Sequence, residues 1–183
     1  MGWMKIVSIV GMAGAGKSEV SRVFERNGYT RIRFGDITDE EVSKRGLELN
    51  EKNEHNIRLL LREEHGMEAY AKLNLARIDS ALEHTDVVID GLYSWEEYTF
   101  LKEYYRDGFC VVAVWASPKT RHARLATRSN RRLKPKEAVS RDKEEIEDIN
   151  KGGPIAMADF TIINESSREE LIREAERIVS IIK

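Results

Sequence analysis

The chain has 183 residues and a mass of 21.1 kDa, enough for one domain with a sizeable core and room for a small lid. With 41% hydrophobic and 34% charged residues, no glutamine and a net charge of −2, it reads as an ionic, heat-adapted globular protein, and the acidic balance speaks against a nucleic-acid coat or a membrane-surface binder. A single cysteine, Cys110, excludes a disulfide framework and a cysteine-rich zinc site, and no run approaches the ~20 apolar residues of a bilayer span, so a soluble, cytoplasmic protein is expected.

Residues 6–10 form an apolar run too short for a signal-peptide core, and 5–10 read as a buried strand. Residues 18–27 suit a helix that Gly28 ends, and 30–34 alternate as a second strand. From Thr38 to about Ala81 the chain is polar and helix-prone, broken at Gly46 and Gly66, with Thr38 and Glu41 at capping-box spacing. Val87-Val88-Ile89-Asp90 is a third strand, and Ser94 with Glu97 opens a helix running to about Arg106. Residues 109–115 make a fourth strand, within which Cys110 reads as an inert, packed thiol. Ser117-Pro118 starts another helix. A charged helix after Pro135 is expected to run until Gly152-Gly153-Pro154 stops it. Residues 160–163 are a last strand, and Ser167 with Glu170 caps a terminal helix through Ile182. Strands alternating with helices imply an α/β fold with a mostly parallel, five-stranded sheet covered on both faces.

The sharpest motif is Gly11-Met12-Ala13-Gly14-Ala15-Gly16-Lys17-Ser18, a full match to G-x-x-x-x-G-K-[ST] set between a strand and a helix. Its glycines let backbone N–H groups turn inward, and these together with the helix N-terminus form an anion site for a β-phosphate. Lys17 is placed to bridge β- and γ-phosphates, and the Ser18 hydroxyl to ligate Mg²⁺. Asp90 ends the third strand at the sheet edge where this loop lies. It could hold Mg²⁺ through water or orient an acceptor, or simply cap the turn before Gly91. Asp36, in Phe34-Gly35-Asp36, reaches the same edge as a proton acceptor or positioning group, or as a turn aspartate.

Residues 117–136 contain no acid. Within them Arg121, Arg124 and Arg128 share one helical face, and Arg131, Arg132 and Arg141 follow. Such a cluster reads as a lid whose guanidinium forks clamp phosphate oxygens. The alternative is a basic face paired with Glu137, Asp142 or Glu144. A nucleic-acid reading lacks interleaved aromatics. The histidines show no metal-ligand spacing, Tyr93, Trp95 and Tyr98 are core or pocket wall, and Arg58 is a surface charge or a contact for an acceptor phosphate.

With these motifs the chain resembles the nucleoside-monophosphate kinase group of P-loop kinases, and within it dephospho-CoA kinase. It looks closest to an archaeal family of predicted kinases with unassigned substrate. The segment 158–164 followed by Ser166-Ser167 is similar to the closing strand of dephospho-CoA kinases. That resemblance implies that Asn164 lies beside the adenine, and that Arg124, Arg128 and Arg141 belong to a lid. Phe34-Gly35-Asp36 is similar to the threonine-glycine-aspartate turn of adenylate kinases, departing from it at Phe34, where the aspartate-x-aspartate pair of dephospho-CoA kinases is also missing.

The implied architecture is a P-loop NTPase three-layer α/β/α sandwich, one domain over 1–183. A helical acceptor-binding region covers 37–84 and a basic lid 118–153. The expected activity is transfer of the γ-phosphoryl group of Mg·ATP to a nucleotide-like acceptor, either a nucleoside monophosphate or a molecule like dephospho-CoA. Lys17, Asp36, Asp90 and Arg128 would serve the transfer, and the phosphate loop, Arg124 and Asn164 would bind ATP. The competing readings are a nucleic-acid-associated ATPase or RNA-end kinase, and a GTP-dependent switch. The switch lacks an Asn-Lys-x-Asp base reader.

Overall fold

Short strands are stable only when neighbouring strands cover their backbone, and the described residues supply five, four of them mostly apolar and Thr30–Arg33 a polar edge. β1 (Ile6–Val10), β2 (Thr30–Arg33), β3 (Val87–Asp90), β4 (Phe109–Trp115) and β5 (Phe160–Ile163) join in the order β2-β3-β1-β4-β5. Every pairing is parallel. The computed structural model describes residues 5–129 and 132–183, so Arg131 of the basic tract lies outside the described residues.

The strand period of two sorts side chains into two cores. Ile6 and Val10 of β1, Val87 and Ile89 of β3, and Phe109, Val111 and Ala113 of β4 face one core. Val7, Ile9, Val88, Val112 and Val114 face the other. On this second face lie α1 (Lys17–Arg26) and α9 (Arg168–Ile182), the latter burying Leu171, Ala175, Ile178, Val179 and Ile182 at helical spacing. The first face is covered by α2 (Asp36–Lys44), α3 (Glu51–His65), α4 (Ala69–Leu82) and α5 (Trp95–Tyr105), which contribute Val42, Leu61, Ile78 and Leu101. α6 (Pro118–Thr127), α7 (Pro135–Glu147) and the short α8 (Gly152–Ala156) connect β4 to β5. Among the described residues no helix is long and apolar enough to cross a membrane.

Two local expectations need correction. Thr38 does not cap α2: the helix begins at Asp36 with Gly35 before it, and the buried Thr38 hydroxyl instead lies 2.6 Å from the Tyr70 hydroxyl. A threonine that has a tertiary partner no longer needs to cap the helix. Likewise Gly152-Gly153-Pro154 does not stop α7. That helix ends at Glu147, Asn150 turns left-handed at φ 52, and the glycines start α8. Proline is harmless in a first turn, where its missing N–H has no helical acceptor.

Parallel strands leave their carboxyl ends along one edge, and the topology brings the phosphate loop and Asp90 to it. β3 lies between β2 and β1, with Asp90 in register with Ile9 on one side and Arg33 on the other.

Candidate active site

The loop after β1 turns tightly, with Ala15 N–H donating to the Met12 carbonyl at 3.1 Å. Gly11 has φ 152, and a Cβ there would run into the Val114 carbonyl oxygen of β4. Gly16 immediately precedes α1 at φ 111, and a Cβ there would strike the Asn164 amide. Only glycine satisfies both backbone and neighbours at these two positions.

Three side chains from distant segments grip this loop. Asn164, at the end of β5 and 6% exposed, donates from Nδ2 to the Ala15 carbonyl at 2.7 Å. Arg121 of α6 donates from Nη1 to the Ala13 carbonyl at 3.1 Å. Glu145 of α7 accepts the Ala13 N–H through Oε2 at 3.0 Å. Lys17 folds back, donating to the Gly11 and Met12 carbonyls at 2.8 and 3.2 Å. Burial, and next the positive charge of Lys151, push the Lys17 ammonium down to about 8.

The loop opens onto a cavity of ≈ 230 Å³. Lys17, Ser18 and Asp90 line it, as do charges from every surrounding segment. Arg33 comes from the end of β2 and Asp39 from α2, while Arg58 and Arg62 stand one turn apart on α3. Arg128 and Arg141 enter from the basic segment, and Tyr93 supplies an aromatic wall. Asp90 is buried and ion-paired with Arg31 of β2. Arg58 is held by Glu51 at 2.6 Å and Glu54 at 3.7 Å. The Arg62 guanidinium sits 5.4 Å above the Tyr70 ring. Asp36 is partly exposed, pairs with Arg33 at 2.7 Å and is not among the residues lining the cavity.

The three arginines of α6 and its end therefore do different things. Arg121, 4% exposed, is locked by a two-pronged pair with Asp142 at 2.6 and 2.9 Å, which is the pairing with Asp142 that the sequence also allowed. Arg124 donates to the backbone and side-chain oxygens of Asn164 at 3.0 and 3.3 Å. Arg128 follows the last residue of α6 and borders the cavity. Arg141 reaches Glu144 at 3.4 Å and Glu145 at 3.4 Å. Of the flagged aromatics only Tyr93 lines the cavity, while Trp95 and Tyr98 stack on each other with centroids 5.1 Å apart. Cys110 is partly buried beside Asp159, and burial first, then that carboxylate, raise its thiol to about 12, which keeps it a poor nucleophile at neutral pH.

Sequence reasoning missed two residues here. Lys151, only 1% exposed, places its ammonium 2.7 Å from Glu145 Oε1. Burial acts to raise the Glu145 carboxyl, but Lys151, Lys17 and Arg141 outweigh it and hold the group at about 2. The available signal was the spacing of Glu145 four residues after Arg141 on a charged helix. Nothing in the sequence marked Lys151, because its partner is defined only by the turn at Asn150.

This arrangement agrees with what known proteins share with the chain. A family model described as an AAA domain matches residues 7–150. A UPF0200 protein of Thermococcus kodakarensis is 38% identical, covering 97% of each chain. Another, from Methanococcus maripaludis, is 35% identical over 98% of this chain and 99% of the relative. Among solved structures, TT1252 from Thermus thermophilus superposes over the full length of both chains with a TM-score of 0.67 at 20% identity. Shikimate kinase from Bacteroides thetaiotaomicron covers 98% of each chain at a TM-score of 0.63 and 14% identity. Dephospho-CoA kinase from Campylobacter jejuni covers 100% of this chain and 99% of its own at a TM-score of 0.56 and 13% identity. These structural likenesses show a P-loop NTPase fold, and the sequence matches place the chain in the UPF0200 family of archaeal proteins, with an AAA domain over residues 7–150.

Proposed function

We propose that this protein is a small-molecule kinase that transfers the γ-phosphoryl group of Mg·ATP to a phosphate-bearing, nucleotide-like acceptor. The observation that carries the reading is the cavity itself, lined by Ala13, Gly14, Lys17 and Ser18 of the phosphate loop together with Arg33, Arg58 and Arg62 from β2 and α3. Two sets of cations from separate segments lining one cleft suit two phosphate groups meeting there, one as donor and one as acceptor.

The residues present fit the nucleotide and its metal. At Gly11, Gly14 and Gly16 a Cβ would collide with Val114, Arg121 and Asn164 behind the loop, so only glycine keeps the tight turn that a phosphate cradle needs. The exposed Ser18 hydroxyl and the Asp90 carboxylate border the same cavity. Among the described residues no group of three or more His, Cys, Asp and Glu side chains could hold a metal by itself, which is compatible with Mg²⁺ bound mainly through phosphate oxygens, Ser18 and water. When bound, Mg²⁺ would neutralise charge on the β- and γ-phosphates. Lys17 would leave the Gly11 and Met12 carbonyls for those oxygens. Arg128 and Arg141 would cover the transferred group and exclude water, which otherwise yields wasteful hydrolysis. Asp90 would orient the metal's water shell or the acceptor, and Asp36 would act from the rim. Arg124 and Asn164 would support the loop beneath the nucleotide.

The test is a transfer screen with γ-labelled ATP against nucleoside monophosphates, dephospho-CoA and short RNA ends. Wild type should label a small acceptor, Lys17→Ala should label none while unfolding at the same temperature, and Arg128→Ala should lose turnover more than ATP affinity. Labelling of RNA alone, or hydrolysis stimulated only by polynucleotide, would replace this reading with the RNA-end kinase.

A further inference from the structure

The cradle in this structure already engages an anion, and it is the protein's own. Glu145 turns one oxygen to the Ala13 N–H at 3.0 Å and the other to Lys151 at 2.7 Å. Arg141 approaches that second oxygen from the same helix at 3.4 Å. Both Glu145 and Lys151 are nearly inaccessible, at 3% and 1% side-chain exposure, yet both border the cavity. The Lys151 main-chain N–H also donates to the Glu145 carbonyl at 3.0 Å, which fixes the turn that carries the ammonium inward. On its remaining side the ammonium stands 5.4 Å from the centre of the Tyr93 ring, another wall of the cavity.

Burying such a pair costs several kcal/mol of desolvation per ion, and well-packed apolar side chains of similar volume often serve stability as well or better. A core filler therefore explains neither the charges nor the contact with the phosphate loop. We infer that Lys151 is a catalytic cation, held by Glu145 in the nucleotide-free protein and released to the transferred phosphoryl group when the nucleotide takes the Ala13 amide from that carboxylate. The inference rests on the kinase reading above and adds to it a fourth positive group, supplied from beyond the basic tract.

The exchange follows from charge. A γ-phosphate entering beside Ala13 brings oxygens to the place of the Glu145 carboxylate, and two anions do not share one donor in a poorly solvated cavity. Glu145 moves out and keeps Arg141 as its partner, while Lys151 keeps its position and gains the phosphoryl oxygens. In the transfer the bond from the γ-phosphorus to the bridging oxygen breaks with its electron pair going to ADP, as the bond from an acceptor phosphate oxygen forms. Lys151 retains its proton throughout and contributes charge alone.

Four full-length variants test this: Glu145→Gln, Lys151→Met, Lys151→Arg and the double variant Glu145→Gln/Lys151→Met, each checked by thermal unfolding. The double variant matters because it removes the pair without stranding a buried charge. Calorimetry uses tripolyphosphate and Mg·ATP, and turnover is read as release of inorganic phosphate from ATP, which needs no acceptor. Glu145→Gln should bind tripolyphosphate about tenfold more tightly, since no anion must be displaced. The double variant should bind Mg·ATP within about threefold of wild type but turn over about 100-fold more slowly, as for loss of one transition-state donor. Lys151→Arg should recover part of that loss, and Lys151→Met should lose it even if it melts lower. Unchanged or weaker tripolyphosphate binding by Glu145→Gln, or turnover of the double variant within threefold of wild type, would overturn the inference and leave the kinase reading standing. A wild type that binds neither ligand would remove both.

Discussion

The position of Asn164 separates two roles that can be measured apart. Resemblance places this residue beside the base, whereas its side chain here is committed to the loop: Nδ2 to the Ala15 carbonyl at 2.7 Å and Oδ1 to Arg124 at 3.3 Å. Truncation by Asn164→Ala strands a carbonyl on Ala15, a residue with no exposed surface, and an unmet buried polar group costs about 1–3 kcal/mol. The longer Arg124 contact adds little, because that guanidinium keeps the Asn164 main-chain oxygen at 3.0 Å. A loss near 2 kcal/mol lowers the melting temperature by about 4–8 °C in a chain of this size. It also loosens the cradle, so that every polyphosphate ligand weakens by a similar factor of about 3–30. Calorimetric titration with tripolyphosphate, ATP and GTP, beside a thermal melt, reads both effects. The ratio of ATP to tripolyphosphate affinity should stay as in wild type. If tripolyphosphate binding is unchanged while ATP alone weakens, Asn164 reads the base and the bracing argument is wrong.

The Arg121–Asp142 pair predicts a stability effect with no direct loss of phosphate contact. Arg121→Met strands Asp142, whose other partner is His122 at 2.8 Å, and should cost about 3–5 kcal/mol, with much of it recovered in Arg121→Met/Asp142→Leu; equal melting temperatures for single and double variants would refute the pairing. The depressed Lys17 ammonium predicts a pH dependence. Phosphate favours the protonated amine, which in the free protein is lost as pH rises through about 8. ATP affinity should thus hold steady below neutrality and fall above about pH 8 by up to tenfold per unit, while Lys17→Met binds weakly and without that slope. A wild-type profile flat to pH 9.5 would place the amine's titration elsewhere.

The sheet was legible because its signals are local. Residues 87–90, 109–115 and 160–163 are short apolar runs bounded by turns, and each strand begins and ends where the pattern changes. Ser94, Ser117 and Ser167 all accept from the N–H three residues on, as helix starts of that chemistry do. Thr38 has the same chemistry, but its hydroxyl found Tyr70, thirty-two residues away. Capping is a weak preference that one buried tertiary hydrogen bond displaces.

The site divides along the same line. The phosphate loop is contiguous, so its spacing alone reveals it. The basic tract looked like a uniform clamp because the acid that neutralises Arg121, Asp142, comes from the next helix, where Glu144 and Glu145 also meet Arg141 one turn on. That folding back gives the tract its division of labour. Arginines met by carboxylates on two prongs brace the loop and cannot also travel with a ligand. Those lining the cavity opposite Lys17 can exchange a carboxylate for a phosphate oxygen at small cost in charge. On the proposed reading the cavity's carboxylates other than Asp90, namely Asp39, Glu51, Glu54, Glu144 and Glu145, would act as internal substitutes for the ligand. They would keep a cation-rich pocket folded before any phosphate arrives, because opposite charges held within it offset the repulsion among the cations. Removing the acids one by one should thus favour phosphate binding at the expense of stability, and removing the cations should do the reverse.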